Sequence, residues 1–140
     1  MRATVLIVVL LTPALLVAGC GNSEEDDAQA AVCSARDDIA KEVEQLKSLT
    51  LTTATTSQVS DGLEAIRNDL RTIRKSREKL SDDRREEVDA ANDAFADQIR
   101  TLAGTVGRTV SVEGAATELK ASLDQLATGY RDSLGRIDCS

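Results

Sequence analysis

From Ala30 to the C-terminus, apolar residues recur at separations of three and four. A period of about 3.6 admits little besides amphipathic helices. Four runs keep this time. The first is Val32, Ala35, Ile39, Val43 and Leu46, with Leu49 trailing. The second, Val59, Leu63, Ile66, Leu70, Ile73 and Leu80, is the most regular, although Arg77 fills one slot where an apolar residue is expected. The third is Val88, Ala91, Phe95, Ile99, Leu102 and Val106. The fourth starts at Val112 and Ala116 and continues through Leu119, Leu123, Leu126, Tyr130, Leu134 and Ile137. The first run ends in SLTLTTATTS, whose β-branched threonines are weak helix formers. Thr56 or Ser57 can cap the second run, Ser81 the third and Ser111 the fourth, and Asp82 and Asp83 suit the positive end of the third. No window alternates with period two for long enough to suggest a sheet.

A different segment stands ahead of this pattern. Met1-Arg2 precedes ATVLIVVLLTPALLV, fifteen largely apolar residues. A membrane span needs about twenty residues, so the length suits the apolar region of a signal peptide. Val17 is bulkier than signal peptidase I prefers three residues before its cut. The stretch Val17-Ala18-Gly19-Cys20 instead resembles a bacterial lipobox: an aliphatic residue, two small ones, then a cysteine. The resemblance implies cleavage between Gly19 and Cys20, with a diacylglyceryl thioether and acyl chains such as palmitate on Cys20. An uncleaved anchor helix with an incidental cysteine is the other reading. Each buried CH₂ contributes about 0.8 kcal/mol, so two or more chains form a nearly permanent tether. The acidic SEEDDAQAA that follows reads as a flexible linker. The expected division is thus a signal peptide over 1–19, a linker over 20–31 carrying lipidated Cys20, and a helical domain over 32–140.

Of the three cysteines, lipidation of Cys20 leaves Cys33 and Cys139. An exported chain lies outside the reducing cytosol, so an even remainder of two suggests one disulfide, with two free thiols as the alternative. That bridge in turn constrains the helix number. In an up-down bundle, the first helix starts and the last helix ends at the same end only when the count is even. Three helices would leave Cys33 and Cys139 roughly 30 Å apart, too far to bridge. Fusing the second and third runs would give one helix of about 70 Å beside partners half that length. The expected fold is therefore all-α: an up-down antiparallel four-helix bundle closed by one disulfide and preceded by a lipoprotein signal peptide. The stretch VCSARDDIAKEVEQL, the capped helices after it and the terminal DCS resemble small exported helical proteins of actinobacteria, many of them lipoproteins. The resemblance implies this fold and this bridge, and no activity.

Composition narrows the function. Removing the signal peptide leaves 121 residues, enough for one domain with a real core, and loss of Arg2 takes the net charge from −7 to −8. An acidic balance disfavours nucleic acid as a partner. The chain has no histidine and no tryptophan, and its only aromatics are Phe95 and Tyr130. The commonest general base and metal ligand is therefore missing, and bridged cysteines offer no thiolate nucleophile or zinc site. No phosphate-cradling glycine loop and no G-x-S-x-G motif occurs. A non-enzyme without cofactor or metal is expected.

One local feature runs against the overall charge. Eight basic residues lie between Arg67 and Arg85, opposed only by Asp69, Glu78, Asp82 and Asp83. A solvated, self-paired face is one reading, since basic residues late in a helix suit its dipole. The other is contact with an anionic surface through Arg71, Arg74, Lys75, Arg77, Lys79, Arg84 and Arg85. The turn from Lys75 to Arg85 should return to the end of the bundle that holds Cys33, Cys139 and the membrane tether, at about 1 kcal/mol per basic residue near an anionic leaflet. The linker acids Glu24, Glu25, Asp26 and Asp27 could equally occupy it. The expected role is an interaction or display module on the outer face of the cell membrane, facing an envelope protein or an anionic surface. A small carrier holding a lipid between amphipathic helices is the alternative. A coiled-coil spacer is opposed by the internal turns.

Overall fold

The structure is a computed structural model that describes residues 22–50, 56–109 and 115–140. The signal segment, Cys20, Val112 and the expected cap Ser111 lie outside the described residues. Four helices follow in order: α1 (Asn22–Ser48), α2 (Thr56–Ser76), α3 (Asp82–Thr109) and α4 (Ala115–Asp132). Short 3₁₀ turns at Arg77–Lys79 and Leu134–Arg136 follow α2 and α4. Each helix packs on its neighbours in sequence and α4 closes back onto α1, while the backbones of the diagonal pairs stay further apart. This is the expected up-down antiparallel four-helix bundle, and the described residues include no strand.

The apolar rhythm becomes the core. Ile39, Val59, Ile66, Ile73, Phe95 and Leu134 are completely buried, one or more from each of α1, α2, α3 and the segment after α4. Burying a side chain of this size contributes about 1.5–3 kcal/mol, which accounts for why helices of modest intrinsic propensity persist. Phe95 meets Tyr130 edge-to-face, with ring centroids 5.9 Å apart. The α1–α2 seam is close at Gly62, where an added Cβ would fall 2.8 Å from Leu46 Cδ2.

Three features depart from the sequence pattern. The acidic stretch expected as a linker is helical from Asn22, and forms the first turns of α1. Ala28 sits one turn before Val32 on the same stripe and is buried, so the core extends further toward the N-terminus than the first run suggested. Glu24 and Glu25 occupy the first turn, where carboxylates favour the helix dipole. The fourth run does not stay one helix to Ile137. Ser133 leaves helical geometry at φ −119° and ψ −95°. Its hydroxyl donates to the Gly129 carbonyl at 2.6 Å, a local bond of the kind that competes with the helix ladder. Leu134 and Ile137 nevertheless remain buried, so the rhythm outlasts the helix. Finally, Asn92 takes a core position on α3, 1 % exposed, whereas Ala116 on α4 is exposed.

Cys33 and Cys139 are joined, with S–S 2.00 Å and Cα atoms 5.8 Å apart. The bridge pins the second turn of core contacts in α1 to the C-terminal tail, so both ends of the described chain share one end of the bundle.

Candidate functional site

That shared end gathers most of the residues singled out by the sequence. Glu25 Oε1 accepts a hydrogen bond from the Ser81 amide at 3.0 Å, and Glu24 pairs with Lys79 at 3.5 Å. The start of α1 is thus tied to the α2–α3 turn. Arg84 donates to the Asp138 carbonyl at 3.4 Å, which ties the same turn to the C-terminus. Arg36 donates to the Ile137 carbonyl at 2.7 Å, and the Tyr130 hydroxyl donates to the Arg36 carbonyl at 3.1 Å. Cys33 and Arg36 of the VCSAR stretch therefore act together, one by a covalent bond and one by a hydrogen bond, to hold the last turn of the chain.

The basic cluster is dispersed over these contacts. Arg85 donates to the carbonyls of Arg77 at 3.4 Å, Glu78 at 3.3 Å and Leu80 at 3.1 Å. These carbonyls belong to the 3₁₀ turn after α2 and its cap, where that of Arg77 also accepts from the Leu80 amide at 3.0 Å, and Arg85 pairs as well with Asp82 at 3.4 Å. Arg74 pairs with Asp93 at 3.3 Å and Arg77 pairs with Asp89, both acids of α3. Arg77 occupies the slot where the rhythm wanted an apolar residue, and it is half-buried because its charge has that partner. Arg71 is exposed and bonded to Asn68, and Lys75 is exposed with no ion-pair partner among the described residues. Four of the eight basic residues, Arg74, Arg77, Lys79 and Arg85, therefore meet acids of α1 or α3.

Electrostatics follow this geometry. The Ser81 backbone N–H, then its hydroxyl, hold the Glu25 carboxyl below its ordinary range. Asp138 is lowered by the Ser140 hydroxyl and amide. Asp69 on α2 goes the other way, raised by partial burial and by Asp38 and Glu42 across the seam on α1. No cluster of three or more metal-ligating side chains occurs among the described residues, and no helix of theirs is long and apolar enough to cross a membrane. Ser76 and Lys79 have the S-x-x-K spacing of some acyl-transfer enzymes. Lys79 is largely exposed and paired with Glu24, and Ser76 sits at the end of α2, so the two do not form a buried nucleophile–base pair.

A second feature lies on the α3–α4 flank. An open groove of about 800 Å³ runs between α3 and α4, with Gln98, Thr101 and Thr105 on one wall and Ser122, Gln125 and Gly129 on the other. Gln98 lies directly over Gly129, where an added Cβ would fall 1.6 Å from its Oε1. A stripe of small residues on α4 was the available clue, visible only once its facing helix is known. No protein-family model, curated protein or solved structure matches the chain.

Proposed function

We propose that this protein is a non-enzymatic envelope lipoprotein. It is held at the outer face of the cell membrane by acyl chains on Cys20 and presents a disulfide-closed helical bundle to a protein partner. The observation that supports the reading is the Cys33–Cys139 bridge, since disulfides form and persist in oxidising compartments outside the cytosol. The Val17–Cys20 stretch supplies the matching address. Cys20 lies two residues before α1, so a tether there spans no more than about 7 Å to the start of the helix. The bundle would then stand with its disulfide end toward the bilayer and its opposite end and flanks toward partners.

Metabolic labelling with an alkyne fatty acid, combined with membrane fractionation, tests the reading. The wild-type chain should carry label and sediment with membranes, and Cys20→Ser should lose the label. A Cys20→Ser protein labelled to the same extent refutes it. The pairing of the basic turn with α1 and α3 acids argues that the tether, not surface charge, sets residence at the membrane. Exchanging Arg74, Lys75, Arg84 and Arg85 for glutamine should therefore leave binding of the Cys20→Ser protein to anionic liposomes unchanged. A clear drop would restore a direct role for the cluster. A lipid carrier would have to open a core whose large residues are fully buried, and a solvatochromic dye that brightens on the folded, oxidised protein would favour it.

A further inference from the structure

The ion pairs that cross the α2–α3 seam stop part-way along it. Arg77 pairs with Asp89 and, one turn further from the disulfide end, Arg74 pairs with Asp93 at 3.3 Å. The two helices run antiparallel, so these rungs set the register of those that follow. One turn on, Arg71 comes level with Ala96. Two turns on from the Arg74–Asp93 rung, about 10 Å along the axis, Arg67 comes level with Arg100. Seven residues return a helix to within about 20° of the same face, so this rung keeps the outlook of the Arg74–Asp93 pair. Where the ladder calls for a carboxylate, α3 places a second arginine.

Nothing inside the bundle makes up the difference. Arg67 is exposed and has no hydrogen-bond or ion-pair partner among the described residues. Arg71, also exposed, bonds only to the neutral side chain of Asn68. Arg100 is exposed and pairs only with Asp97 of its own helix, an exposed pair of little strength. Three guanidiniums therefore share one paired carboxylate, and two of them are set against each other by the packing of different helices. The α3 side of the seam carries only small residues here: Ala96 and Ala103 pack against the core, and at Gly107 an added Cβ would meet nothing within 4 Å. The flank is open to another chain.

The neighbouring acids select among anions. Glu64 and Asp97 stand one turn before Arg67 and Arg100, and both are exposed. A densely charged polymer or a flat anionic leaflet would meet these acids together with the arginines. Carboxylates set one turn apart on a helix can reach the arginines and pass the acids by. We propose that the α2–α3 flank docks an acidic amphipathic helix of a partner protein, whose carboxylates supply the missing rungs to Arg67, Arg71 and Arg100. Its apolar side lies on Ala96 and Ala103. Arginine suits this role because its planar fork takes a carboxylate through two parallel hydrogen bonds. The inference rests on the reading of the bundle as a module that displays its flanks to a protein, and not on the lipid tether.

Nuclear magnetic resonance on the oxidised Cys20→Ser protein tests it without the tether, so a failure to dock and a failure of fatty-acid labelling are separate results. The probe is an alanine-based helical peptide with glutamates one turn apart on one face, and its control is the scrambled isomer of equal charge. The first should shift the Nε–Hε signals of Arg67, Arg71 and Arg100 saturably, and the isomer should bind at least about threefold more weakly. Arg67→Gln should weaken the first peptide about two- to fivefold, the size expected for one exposed ion pair. Arg67→Glu should abolish docking and raise the urea midpoint, because it completes the ladder to Arg100 from within, and the rise should be lost in an Arg100→Gln background. Absence of saturable shifts, or an isomer that binds equally, overturns the proposal. So does an Arg67→Glu midpoint that stays unchanged, or tighter binding of polyphosphate or phosphatidylglycerol vesicles to the same arginines.

Discussion

Replacing Cys33 and Cys139 together by alanine removes a link between residues 106 apart in sequence. For a loop near this length the chain-entropy model gives about 4.7 kcal/mol, and measured bridges more often give about 2–4 kcal/mol. The native end should survive the change, because Arg36 still bonds the Ile137 carbonyl and Tyr130 still bonds Arg36. The loss therefore belongs to the unfolded chain, which becomes free to expand. Two signatures follow in urea titrations monitored by circular dichroism. The double variant should unfold at lower urea with a steeper dependence on denaturant, since its unfolded state exposes more surface. Its melting temperature should fall by about 8–20 °C. Reduced wild-type protein should behave like the variant. Far-ultraviolet helicity at low urea should match wild type. A shift of the midpoint with unchanged slope would place the effect in the native state and refute the entropic account, as would stability unchanged within error.

Three further substitutions probe the core and one seam. Asn92→Leu should stabilise the fold by about 1–3 kcal/mol, since Asn92 Oδ1 is buried without a partner, and a lower urea midpoint would contradict this. Gly62→Ala gains helix propensity of about 1 kcal/mol, yet its Cβ would crowd the buried Leu46. Overpacking of about 1–3 kcal/mol should prevail, seen as a reduced melting temperature. Asp69→Asn should raise stability at neutral pH. The folded carboxyl is raised above its ordinary value of 3.8 by burial and by Asp38 and Glu42, so ionisation opposes the folded state once pH exceeds that value. The advantage of the asparagine should vanish as pH falls below about 3.8, where the carboxyl is protonated folded or unfolded alike. A gain independent of pH would point to another cause.

The fold was legible because two kinds of information agreed. Hydrophobic period located the helices: Val32 through Leu46, Val59 through Leu80 and Val88 through Val106 are buried almost without exception. Cysteine parity then fixed how many must pack. Propensity was a poorer guide at the front of α1, where acidic composition imitates a linker. Tertiary contact explains the difference, since Ala28 finds the core and Glu25 finds the Ser81 amide, neither of which local sequence can display. The same limit applies to Ser133, whose hydroxyl bonds back to Gly129 and ends a helix that the apolar rhythm continues.

Charge shows most clearly what one dimension conceals. Along the chain, the segment from Arg67 to Arg85 is a basic block; in space, Arg74 and Arg77 meet acids of α3, and Lys79 meets Glu24 of α1. Those partners lie in segments whose own sequences are acidic, so the blocks compensate across helices once antiparallel packing brings them level. A charge run flanked in space by opposite charge works as interhelical registration: sliding α2 by one turn against α3 would separate Arg77 from Asp89 and Arg74 from Asp93 together. The α3–α4 flank differs: its carboxylates Asp97, Asp124 and Asp132 pair with Arg100, Lys120 and Arg136, each three or four residues away, so those charges stabilise local segments and carry no registration between helices.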